Sequence, residues 1–63
     1  MNVFEAAARG NVETYLGDVC SPDDDPEFIA DEAYVLAMDG ALKSGASMAE
    51  AREIAQRVAN NYR

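Results

Sequence analysis

Histidine and tryptophan are absent from this sequence, and cysteine occurs once, at Cys20. Without histidine the commonest general base and the commonest metal ligand are missing, so neither a Ser-His nor a Cys-His constellation can be assembled. A lone cysteine closes no internal disulfide and falls far short of a structural zinc site, and a reducing, cytoplasmic setting is the expectation that follows. Lys43 is the only lysine, and neither it nor Cys20 stands in a catalytic motif. Long apolar runs are also missing: the longest is "AYVLAM", residues 33–38, and the first residues lack the basic and apolar pattern of a signal peptide. The four glycines, Gly10, Gly17, Gly40 and Gly45, are scattered instead of gathered into a phosphate loop. Carboxylates are plentiful, but a chain of 63 residues has little room for the concave pocket that would tune them for acid-base work. The expectation is a soluble protein that is not an enzyme and carries no metal or cofactor.

Positive charge is the next scarcity. Five basic residues face twelve acids, a net charge of −7. The imbalance is regional. Residues 1–40 hold ten carboxylates against Arg9 alone, a balance of −9, whereas residues 41–63 hold Lys43, Arg52, Arg57 and Arg63 against Glu50 and Glu53, a balance of +2. Most of the chain therefore repels nucleic-acid phosphates and anionic membranes, and the natural partner of its surface is cationic.

What is present is helical punctuation. With 49% hydrophobic residues there is material for a packed core, and residues 1–63 form one small domain that buries about 60% of its unfolded surface. Asn2 and Glu5 have the spacing of a capping box ahead of "VFEAAAR". Gly10 can end that helix and Asn11 cap the next, "VETYLGDVC", which Ser21 and Pro22 stop. Asp25 precedes Pro26, which suits the first helical position because its missing N–H has no intrahelical partner there. Ser47 and Glu50 form a second capping box. The expected fold is all-α, a single-domain bundle of three to four helices near 3–9, 11–20, 26–44 and 47–62, with Phe4, Leu16, Ile29, Leu36, Ile54 and Val58 in the core.

"SPDDDPEF", residues 21–28, has the look of a metal loop, and spacing argues against it. An EF-hand loop beginning at Asp23 needs glycine at its sixth position and glutamate at its twelfth, where this chain has Phe28 and Tyr34. The helix-start reading fits better, with the carboxylates near the positive end of the helix dipole.

Two lines of residues on the third segment compete for a role. Ile29, Ala33, Leu36, Ala37, Gly40 and Ala41 make a stripe of mostly small side chains suited to close packing. Phe28, Val35 and Leu42, each seven residues apart, make a second apolar line on roughly the opposite side. Either this is the most buried helix of the bundle, or the second line is an interface through which the chain docks or forms a homodimer.

The stretch "FEAAARGNVETYL", residues 4–16, resembles the helical hairpin that opens an ankyrin repeat, without the T-P-L-H turn or a second copy at the ankyrin period. In size, charge and helical layout the whole chain is similar to the small acidic inhibitors that phages make against nucleic-acid-binding machinery, among them anti-CRISPR proteins of the DNA-mimic class. That resemblance implies a non-catalytic mechanism. Asp23, Asp24, Asp25, Glu27, Asp31, Glu32 and Asp39 would occupy the Lys/Arg-lined groove of a nucleic-acid-binding protein such as a CRISPR effector. The alternative is a helical assembly or adaptor protein that works through Phe28, Val35 and Leu42, its charge serving solubility.

Overall fold

The computed structural model describes residues 2–63 and contains three helices: α1, Val3–Val19; α2, Pro26–Lys43; and α3, Met48–Asn60. No strand occurs among the described residues. The helix in the middle of the chain is also the middle of the fold: α2 packs along both α1 and α3, which touch each other far less.

The helix ends expected at Asp25, Gly45 and Ser47 are where the sequence puts them. The Asp25 side chain accepts the Glu27 backbone N–H at 2.8 Å, with Pro26 in the first turn. At the other end of α2, Gly45 adopts φ 108°, the left-handed region that glycine enters without a Cβ clash. Its N–H and that of Ala46 then donate to the Leu42 and Ala41 carbonyls, the Schellman pattern. At α3, Ser47 and Glu50 exchange both hydrogen bonds of the capping box.

The expected break at Gly10 and Asn11 is absent, and the hairpin suggested by the ankyrin-like stretch is one continuous helix. Gly10 keeps negative φ, and Asn11 caps nothing; its amide donates to the Leu36 carbonyl on α2 at 2.8 Å. A side chain that looks like a helix start is used as a cross-link between helices. Asn2 does cap α1, accepting the Glu5 N–H at 2.7 Å. The Glu5 carboxylate leaves the box half-made, however, and pairs with Arg9 at 3.1 Å and with Arg57 of α3 at 2.8 Å.

The core is built mainly from alanine. Ala8, Ala33, Ala37, Ala41, Ala51 and Ala55 are fully buried, and they are joined by Val12, Ile54 and Val58. Phe4, Leu16 and Leu36, expected at the centre, are half-buried and wrap its edge, as do Tyr34, Met38 and Tyr62; Ile29 is half-buried as well. Small residues along the contact lines let the helix axes approach closely, which leaves no room between them for large side chains.

At Gly40 the two helices come so close that a Cβ would lie 2.7 Å from the Ala7 carbonyl oxygen and 3.1 Å from the Ala8 Cα. Gly17, exposed within α1, is the opposite case, with nothing within 4 Å of an added Cβ. Gly17→Ala is expected to raise stability by about 0.5–1 kcal/mol, because alanine loses less backbone entropy in a helix. A urea titration followed by circular dichroism would read this as a higher midpoint, and a lower one would contradict it.

Glu5 ties α1 to α3. Its hydrogen bonds to Arg57 and then to Arg9 hold its carboxyl below the ordinary glutamate value of 4.5. A carboxylate whose pKa is depressed by folding stabilises the fold above its unfolded pKa and loses that contribution as pH falls through the folded one. The stability difference between wild type and Glu5→Gln should therefore be greatest above pH 4.5 and shrink steadily below it. Denaturant titrations at several pH values would check this, and a gap that stays constant into acid would refute it.

Candidate functional site: the outward face of α2

The face of α2 turned from its neighbours is set by helical period. Seven residues at 100° each return to within 20° of the starting direction, so Phe28, Val35 and Leu42 stand nearly above one another over about 21 Å. Their exposures are 45%, 59% and 37%. The buried side of the same helix is Ala30, Ala33, Ala37, Gly40 and Ala41. The bundle thus fills its core without the second apolar line, which remains on the surface.

The acids border this line. By the same angular count Asp31 falls on one flank, and Glu32, Asp39 and Lys43 fall on the other. The apolar line and the α2 carboxylates, which the sequence presents as competing features, lie on one face.

The seven candidate carboxylates are in different chemical states. Asp25 is occupied as the cap of α2. Asp24 accepts the Ser21 N–H at 2.7 Å and closes the turn between α1 and α2, and the Asp23 N–H donates to the Ser21 hydroxyl at 3.3 Å. Glu27 pairs with Arg63 at 3.5 Å. Asp39 pairs with Lys43 at 3.0 Å and accepts a hydrogen bond from Asn11 at 3.5 Å. The carboxylates of Asp23, Asp31 and Glu32 make neither an ion pair nor a hydrogen bond among the described residues. The row of seven is therefore not uniform. Two of its members are neutralised by neighbouring cations and two are committed to backbone N–H groups.

Cys20 feels the charge of two carboxylates, Asp24 and Glu32. The half-buried thiol is pushed above its ordinary value first by burial, then by the negative charge of Asp24 and of Glu32. A thiol kept protonated at neutral pH is a weak nucleophile. No group of three or more Cys, Asp or Glu side chains among the described residues is gathered closely enough to hold a metal ion. Of the consecutive aspartates, Asp24 and Asp25 use their carboxylates in local turn and cap bonds, as a helix start requires, while Asp23 contributes only its backbone N–H.

Two features of this surface differ in legibility. The Asp39 and Lys43 pair is written in the sequence at the i, i+4 spacing, in the favourable order of acid before base. The Arg63 to Glu27 pair joins the chain's end to the start of α2, and no local pattern announces it. No helix among the described residues is long and apolar enough to cross a membrane. No family model, no curated protein and no solved structure matches the chain.

Proposed function

We propose that this chain is a non-catalytic binding protein whose acidic surface occupies a cationic, nucleic-acid-binding site on a partner protein and so blocks it. The observation that carries this reading is the charge distribution on the fold. Residues 1–40 have a balance of −9, and among the described residues the carboxylates of Asp23, Asp31 and Glu32 form no ion pair. Unpaired carboxylates that repel one another are relieved by an external cation, and a lysine- or arginine-lined groove supplies several at once. A phage-type inhibitor of the anti-CRISPR, DNA-mimic class is the form of this function that the acidic mini-domain fits.

A second reading, a helical adaptor or assembly protein, is favoured by the exposed line of Phe28, Val35 and Leu42. Parallel self-association through that line is opposed by charge, because it brings Asp31 of one copy towards Glu32 of the other, whereas the Asp39 that antiparallel pairing brings towards Glu32 is already held by Lys43. Like charges across a contact are costly.

The test is affinity capture from cell lysate at low salt, followed by elution in two ways. Stepwise salt and, separately, duplex DNA or RNA are expected to release the same bound protein, because counterion screening and competition act on one cationic site. A partner that resists salt and binds this chain and its nucleic acid together would refute the reading. Sedimentation of the chain alone completes the comparison: a monomer at all salt concentrations is expected, and a dimer strengthened by salt would favour assembly through the apolar line.

A further inference from the structure

We propose that Phe28, Val35 and Leu42, with Asp31 on one side and Glu32 on the other, form a single docking ridge for a basic amphipathic helix of the partner protein. This inference rests on the acidic-surface reading and specifies the element that the surface receives. Three large apolar side chains stand in register on one helix face, each more than a third exposed, while the core of the bundle is filled from the other face. A ridge of this kind packs between the side-chain rows of a second helix. Its length, about 21 Å, is four turns, which is the reach of an ordinary helix.

The flanking charge decides which helix. Carboxylates on both sides of the ridge complement a helix whose apolar stripe is bordered on both sides by lysine and arginine. They disfavour a second copy of α2 packed in parallel, which would set Asp31 against Glu32, and an antiparallel copy would offer Glu32 only the Lys43 that Asp39 already holds. They also repel an anionic lipid surface. Among the described residues the Asp31 carboxylate on one side of the ridge and the Glu32 carboxylate on the other form no ion pair, so a cation on each border meets an unneutralised charge. Basic helices are also elements that proteins place in a nucleic-acid groove. A helix held on this ridge is withheld from that groove, which gives the blocking function a physical route.

Three fluorescein-labelled synthetic helical peptides test the proposal by anisotropy against the full chain. The first has a leucine stripe bordered by lysine and arginine; the second keeps the basic borders and has glutamine in the stripe; the third keeps the leucine stripe and has glutamate borders. The first peptide is expected to bind at least about tenfold more tightly than either of the others. Val35→Gln and, separately, Phe28→Ser should weaken it by about tenfold with unchanged helical circular dichroism, since both residues lie on the surface. Equal binding of the leucine and glutamine peptides, or no effect of either substitution, overturns the ridge while leaving the acidic-surface reading in place. Equal binding of the basic and glutamate-bordered peptides overturns the acidic reading and the basic occupant with it. Failure of all three peptides to bind overturns the ridge as a docking site.

Discussion

Gly40→Val is expected to remove a large share of the protein's stability and to lower its urea midpoint sharply. The reason lies in what an added side chain would meet. A Cβ at Gly40 would sit 2.7 Å from the Ala7 carbonyl oxygen, 2.9 Å from the Asn11 Cβ and 3.1 Å from the Ala8 Cα, so α1 and α2 must separate to admit it. Two of those atoms are backbone, which no rotamer change can move aside. Separation also endangers the Asn11 hydrogen bond to Leu36 and loosens the packing around Ala8, Val12 and Ala37. Overpacking of a tight core typically costs about 1–3 kcal/mol, more where backbone must shift, and the γ carbons of valine extend the clash beyond the Cβ. A domain of this size has a total stability of only about 3–9 kcal/mol. Circular dichroism at 222 nm, read beside Gly17→Ala as the matched control, would decide the matter. A Gly40→Val protein with a wild-type urea midpoint would show that the helices are not as closely packed as described.

The contrast between these two glycines explains what the sequence made legible. Local signals carried the helix ends: Asp25 before Pro26, Ser47 with Glu50, and Gly45 past α2 each act through neighbours within a few residues. Gly10 and Asn11 carried an equally plain local signal, and tertiary structure overrode it. Asn11 gains a hydrogen bond to Leu36, 25 residues away, that no window around position 11 contains. The stripe of small residues on α2 was legible as a packing face, yet nothing local to Phe4, Leu16 and Leu36 indicates that they lie at the edge of the core instead of its centre. That outcome depends on how near the axes come, and the distance is set by Gly40 against Ala7 and Ala8 together. For the candidate site, periodicity alone placed Phe28, Val35 and Leu42 on a common line. Which acids remain unpaired was not legible, since it turns on Arg63 reaching Glu27.

Double charge reversal, Asp23→Lys with Asp31→Lys, is expected to abolish partner binding and preserve the fold. These two positions are chosen because both residues are exposed and neither carboxylate holds a bond that the structure needs, whereas Asp24 closes a turn, Asp25 caps α2 and Asp39 is tied to Lys43 and Asn11. Stability should change by no more than about 0.5 kcal/mol at such surface sites, apart from a small loss at Asp23 where a cation approaches the positive end of α2. Binding responds differently. Each contact loses an attraction and gains a repulsion, which together amount to several kcal/mol, or roughly a hundredfold or more in affinity. Net charge alone is separated from local contact by comparing Asp31→Lys with Glu53→Lys on α3, which changes the total by the same amount on a different helix. Asp31→Lys should weaken binding strongly at low salt and less at high salt, as screening shortens the reach of every charge, while Glu53→Lys should have a small effect throughout. Unchanged affinity in a correctly folded double variant would end the case for an acidic interface. Equal losses from Asp31→Lys and Glu53→Lys would reduce that interface to non-specific attraction between oppositely charged proteins.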